Sequence, residues 1–113
     1  MAYNEQLADR TREILVDQSN LEEKKMMGGL CFMVNDKMCV GIMKDELMCR
    51  IDPEVLEASL DKRGCREMSM GGKTMRGYIL VDGTGTKTKK DLESWINLAL
   101  EFNPKAKSSK EKK

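Results

Sequence analysis

The feature that most constrains this chain is the run Met26-Met27-Gly28-Gly29, which leads into a long apolar stretch from Leu30 to Ile51. It is echoed by Met70-Gly71-Gly72, ahead of a second apolar run from Met75 to Val81. Glycine at the mouth of a strand relaxes the steric limits on the backbone and lets a neighbouring segment approach closely. Such pairs shape a sheet; by themselves they catalyse nothing. The chain is expected to be built around a sheet whose strands enter through Gly28-Gly29 and Gly71-Gly72.

The period of the sequence fills in the rest. Tyr3, Leu7, Thr11, Ile14 and Gln18 recur at helical spacing and predict an amphipathic first helix ending near Ser19-Asn20. From Lys24 the period changes to two. Two short turns are expected at Asn35-Asp36 and Asp45-Glu46, so that numbers of opposed residues sum to 71 across the first and 91 across the second. In that register one face collects Cys31, Met33, Met38, Val40, Ile42, Leu47, Cys49 and Ile51 and is expected to be the core face. The other, mixed face collects Leu30, Phe32, Val34, Lys37, Cys39, Gly41, Met43, Met48 and Arg50.

Asp52-Pro53-Glu54 supplies a cap, a first-turn proline and an N-terminal acid for a short helix through Leu60, stopped by Gly64. Strands are expected over Arg66 to Met70 and Thr74 to Val81. After the loop Asp82-Gly83-Thr84-Gly85, Thr88 and Asp91 form a capping box for a last helix whose inner stripe is Leu92, Trp95, Ile96, Ala99 and Phe102. Trp95 is expected to lie over Val40, Ile42 and Cys49. The order is α-β-β-β-α-β-β-α, an α+β two-layer domain on an antiparallel sheet.

At 113 residues this is one domain, expected to span residues 1–103. The formal charge is +1, yet Pro104 to Lys113 carries five lysines and one glutamate, which leaves residues 1–103 net acidic. That balance argues against a duplex-binding surface on the folded part. The tail, residues 104–113, has no apolar periodicity and is expected to be disordered. No run approaches the ~18 apolar residues of a membrane helix, and Glu5 and Asp9 replace the basic start of a signal peptide. The expected compartment is the cytoplasm, with no membrane partner.

There is no histidine, which removes Ser-His and Cys-His nucleophile systems. The four cysteines, Cys31, Cys39, Cys49 and Cys65, form no C-x-x-C pair and are expected to be reduced and metal-free. Cys31 and Cys39 should point to opposite sides of the sheet. Gly72-Lys73-Thr74 resembles the end of a phosphate loop, but Glu67 stands where the first glycine belongs and a strand follows instead of a helix. Gly83-Thr84-Gly85 with Lys87, Lys89 and Lys90 could cradle an anion; a plain turn and cap is the simpler reading.

Methionine is the remaining signal: ten occur against five aromatic residues. Phe32, Met43 and Met48 fall together on the mixed face, either under a covering element or as an interface for a partner or a second copy. Phe32 is the anchor expected for such an interface.

The run Met26-Met27-Gly28-Gly29, the hairpin strands up to Cys49-Arg50-Ile51-Asp52, and Leu92-x-x-Trp95-x-x-x-Ala99 together resemble the N-terminal domain of the TfoX/Sxy competence regulators, over roughly Leu7 to Phe102. The family's Met-Phe-Gly-Gly stands here as Met26-Met27-Gly28-Gly29. The resemblance implies a secretion-chaperone-like fold and kinship with bacterial proteins that switch on DNA-uptake genes together with the cyclic-AMP receptor protein. The expected function is a protein-interaction module without enzymatic activity or cofactor, its partner the transcription machinery or a homodimer. The alternative is an accessory factor that contacts nucleic acid weakly or indirectly through the lysine tail.

Overall fold

The computed structural model describes residues 3–18, 20–26, 29–70 and 72–105. Met27, Gly28 and Gly71 of the glycine motifs and residues 106–113 of the tail lie outside the described residues. The chain runs α1 (Glu5–Ile14), β1 (Leu21–Met26), β2 (Gly29–Val34), β3 (Lys37–Met43), β4 (Glu46–Arg50), a 3-10 turn (Pro53–Val55) continuing into α2 (Leu56–Leu60), β5 (Cys65–Met70), β6 (Lys73–Val81) and α3 (Lys89–Phe102). The strands form one antiparallel sheet in the order β1-β2-β3-β4-β6-β5. The α+β class and the element order are those expected, and the structure adds β1 at one edge.

α1, α3 and the 3-10 turn that leads into α2 each begin where the sequence supplies a cap. The Asn4 side chain accepts from the Leu7 amide at 3.0 Å, Asp52 from Glu54 at 2.9 Å and Thr88 from Asp91 at 3.0 Å. The first helix is shorter than its periodicity implies: it ends at Ile14, and a turn carries Leu15 into the core, fully buried. The start of α1 is also tied to the sheet, since the Asn4 amide donates to the Lys44 carbonyl at 2.7 Å.

The first hairpin turns at Asn35-Asp36, both with positive φ (55° and 65°), the signature of a two-residue turn whose twist suits the strands. Val34 pairs with Lys37 and Met33 with Met38, as the sum of 71 requires. The register then slips. Phe32 pairs with Val40, Cys31 with Gly41 and Leu30 with Ile42, leaving Cys39 as an extra residue in β3. A one-residue slip moves every later side chain of one strand to the other face. Leu30, Phe32, Val34 and Cys39, expected on the mixed face, therefore join Val40, Ile42, Leu47, Cys49 and Ile51 in the core beneath the helices. Cys31 and Met38, expected in the core, lie on the opposite face. The second hairpin turns at Lys44-Asp45, one residue earlier than expected, and pairs Ile42 with Leu47 and Val40 with Cys49. That displacement shifts the register by two and leaves the faces unchanged.

The helix-covered core gathers Leu7, Ala8 and Leu15 from the α1 region, Leu56 from α2 and Leu92, Trp95, Ile96 and Ala99 from α3. Trp95 is 3% exposed and shares this cluster with Val40, Ile42 and Cys49, as expected. Its indole Nε1–H donates to the Gly85 carbonyl at 2.9 Å, which anchors α3 to the loop after β6.

The glycine motif has a steric reason at Gly29. A Cβ built there would overlap the Ile42 carbonyl oxygen, so β2 can approach β3 only with glycine at this position. In the second motif, Gly72 sits in the β5–β6 turn with φ of +82°, a conformation that L side chains rarely adopt.

Phe32, expected on the mixed face as the anchor of an interface, is fully buried in the helix-covered core, and this sets the prediction. Phe32→Ala and Trp95→Ala should each destabilise the fold by ~3–5 kcal/mol, a large share of the roughly 5–15 kcal/mol that holds a domain of this size. Met43→Ala, at a partly exposed position, should cost roughly 1 kcal/mol or less. Chemical denaturation of the three variants checks this; equal midpoints for Phe32→Ala and wild type would contradict the register.

Candidate functional site

The two faces of the sheet are unlike. One carries all three helices. On the other, the described residues that cluster all come from strands: Cys31, Met48 and Met68 are buried, with Met38, Met43, Tyr78 and Leu80 partly buried around them. They reach one another through the register, in which Gly41 opposes Met48 and Met48 opposes Leu80 on the next strand. Met48 is 0% exposed, so among the described residues of this cluster those that present apolar surface are Met38, Met43, Tyr78 and Leu80.

Charged groups border this patch. Glu46 and Arg66 form a two-pronged ion pair across β4 and β5, with Arg66 Nη2 to Glu46 Oε1 at 2.7 Å and Nη1 bonded to Oε2. The same contact raises the Arg66 pKa above its ordinary value. On the β1 side Lys24 stands opposite Cys31. The Arg50 guanidinium lies 5.5 Å from the Tyr78 ring centroid. A polarisable apolar centre inside a charged border suits a surface that repacks against a partner.

Of the three interface residues expected from sequence, the structure brings together Met43 and Met48 and removes Phe32. Phe32 lies on the helix side, with the Arg12 guanidinium 6.0 Å from its ring. Sequence reasoning missed Cys31, Met38, Met68, Tyr78 and Leu80. The bulge hid the first two, and the β4–β6 pairing that delivers Tyr78 and Leu80 leaves no local signal.

A second concavity of about 440 Å³ lies between Lys62, Arg63, Thr84, Gly85, Asp91, Ser94 and Trp95, with the Lys62 amine 5.2 Å from the indole centroid. This is where Gly83-Thr84-Gly85 could have cradled an anion. Two of its amides are already used: Thr84 N–H donates to Asp82 Oδ1 at 2.9 Å and Gly85 N–H to the Asp82 carbonyl at 3.0 Å. The Thr84 hydroxyl and amide hold the Asp82 carboxyl below its ordinary pKa, so the loop presents a negative charge to any anion. The turn-and-cap reading is the one the geometry supports. Lys73 and Thr74 open β6, and the strand that follows excludes a phosphate loop.

The four cysteines are free thiols. Cys31 and Cys39 do face opposite sides, although each sits on the face expected for the other. Burial raises every one of them: Cys39 to about 12, Cys65 to about 11 with Lys62 partly offsetting, Cys49 well above the usual value, and Cys31 in the same direction. A thiol held protonated is a poor nucleophile and a poor metal ligand. Among the described residues no group of three His, Cys, Asp or Glu is placed to hold a metal ion.

Because these pKa values rise on folding, the unfolded chain loses its thiol protons first as pH increases. The stability they confer is complete below the ordinary value of 9.0 and is lost as pH climbs through the folded values near 11 and 12. Native protein should therefore resist alkylation at pH 8, with Cys65 modified first, and its melting temperature should fall steadily above pH 9. Rapid labelling of Cys39 or Cys49 in folded protein at pH 8 would contradict the burial.

Among the described residues, no helix is long and apolar enough to cross a membrane. No curated protein and no solved structure matches the chain. The family of the TfoX N-terminal domain matches residues 13–103, a span that runs from the end of α1 through the whole sheet to the end of α3. With that match over most of its length, and with the helix-backed antiparallel sheet described above, the chain belongs to the TfoX N-terminal domain family.

Proposed function

We propose that this domain is a non-enzymatic, cytoplasmic protein-interaction module of the competence-regulator type, docking on the transcription machinery that serves DNA-uptake genes. The observation that carries this reading is the asymmetry of the sheet: three helices cover one face, while the other gathers methionines, Tyr78 and Leu80 with no helix in their cluster. Methionine adapts to irregular partner surfaces at little cost in shape, and the charged border fixes orientation. The buried, protonated thiols and the self-satisfied Asp82 loop support a binding role over a chemical one.

A second reading is supported by the five lysines between Pro104 and Lys113, which suit weak contact with nucleic acid. Salt separates the two. Counterion release makes a lysine-driven affinity fall steeply with ionic strength, whereas an apolar docking barely responds.

The test uses purified RNA polymerase holoenzyme with and without the cyclic-AMP receptor protein, titrated with the full chain. A saturable, salt-tolerant complex is expected. Met43→Lys should weaken it by about tenfold or more, since placing a charge in an apolar contact typically costs at least ~1.4 kcal/mol, and should leave the melting temperature within a few degrees. No complex with either component, or one as sensitive to removal of Lys105 to Lys113 as it is indifferent to Met43→Lys, would overturn the reading.

A further inference from the structure

The outer edge of the sheet carries a charge pattern that the protein-docking reading does not use. Strand β1, Leu-Glu-Glu-Lys-Lys-Met, pairs among the described residues with β2 alone, and Glu22, Glu23, Lys24 and Lys25 are all exposed. Six residues of strand without proline or glycine make an edge roughly 20 Å long, open to pairing. Edge strands commonly carry charge to repel further pairing, and like charges serve that end best. Here two acids are followed by two bases, so the strand run backwards is the electrostatic complement of itself.

Register decides what such pairing can look like. When two identical edges pair antiparallel about a two-fold axis, the axis is perpendicular to the sheet and opposed residues share a face. The numbers of opposed residues then sum to an even value. Glu22 and Lys24 share the methionine face, since Lys24 opposes Cys31; Glu23 opposes Phe32 and points to the helix side, where Arg12 binds it through Nε–Oε2 at 2.6 Å and Nη2–Oε1 at 2.9 Å. A register centred on Glu23 sets Glu22 of each copy opposite Lys24 of the other, twice, and the two Glu23 carboxylates at the axis each arrive neutralised by Arg12. A register centred on Lys24 would oppose two lysines at the axis, for which no counter-ion is placed among the described residues, and would bring Lys25 to Glu23, whose carboxylate already holds Arg12. The opposite edge, β5, offers no equivalent: its charges, Arg66 and Glu67, are adjacent and lie on different faces, so no symmetric register opposes them.

We propose that two copies of this chain pair through β1, antiparallel about a two-fold axis at Glu23, with reciprocal Glu22–Lys24 pairs. The two sheets become continuous, all helices lie on one side, and the two methionine faces join into a single surface on the other.

Sedimentation equilibrium of the full chain at rising concentration tests this. The wild type should show a reversible monomer–dimer equilibrium. Glu22→Lys and Lys24→Glu should each raise the dissociation constant by about tenfold or more, through like charges placed in opposition, with melting temperatures near wild type because both positions are exposed. An equimolar mixture of the two variants should dimerise again, because on the methionine face the two bases of the E22K edge meet the two acids of the K24E edge. So should the double variant E22K/K24E. A wild type that stays monomeric throughout, whether or not its edge accepts a strand from another protein, overturns the proposal. A dimer indifferent to both reversals, or a mixture that stays monomeric, overturns it equally.

Discussion

One extra residue in β3 decides the character of this molecule. The bulge at Cys39 changes the pairing between β2 and β3 from Met33–Met38 to Phe32–Val40, and every residue of β2 before it takes its facing from that change. Without the bulge, Phe32 would lie on the face without helices and Cys31 beneath α3. With it, the largest apolar side chain of β2 enters the helix-covered core, and the smaller Cys31 joins methionines on the other side.

The helices are then fixed to that core at their ends. The Asn103 side chain, just past α3, donates to the Val34 carbonyl at 3.1 Å and accepts from Asn35 at 3.2 Å, so the end of α3 is pinned to the first hairpin. Lys37 adds a bond to the Asn103 carbonyl at 3.1 Å. At the other end Trp95 holds Gly85, and Arg10 of α1 donates to the Thr86 carbonyl at 2.8 Å. These contacts bind the helix layer to one side of the sheet and leave the opposite face to its own side chains, which is what the proposed docking role rests on.

Much of this was legible in the chain. The caps at Asp52 and Thr88, the Asn35-Asp36 turn and the stripe of Leu92, Trp95, Ile96 and Ala99 are local signals, and each appears where its chemistry places it. The bulge was not legible, because Met38-Cys39-Val40 is apolar throughout and offers no polar residue to mark a change of face. Strand β1 was hidden for a related reason: Glu22, Glu23, Lys24 and Lys25 put charge on both faces, as an edge strand can and an interior one cannot. The pairing of β4 with β6 joins segments some thirty residues apart, which no short-range pattern encodes. The candidate surface was half visible: Met43 and Met48 were read on one face, and Tyr78, Leu80 and Met68 needed the sheet order.

The most direct test of the account is the facing of β2, read by nuclear Overhauser contacts in protein with labelled methionine methyls and aromatic rings. The account predicts contacts from the Phe32 ring to Val40 and to the Arg12 side chain of α1, and from the Met48 methyl to the Gly41 α-protons and to Cys31. Contacts from Met48 to Leu92 or Trp95, or from the Phe32 ring to Met48, would place the bulge and both faces of the sheet wrongly and contradict it.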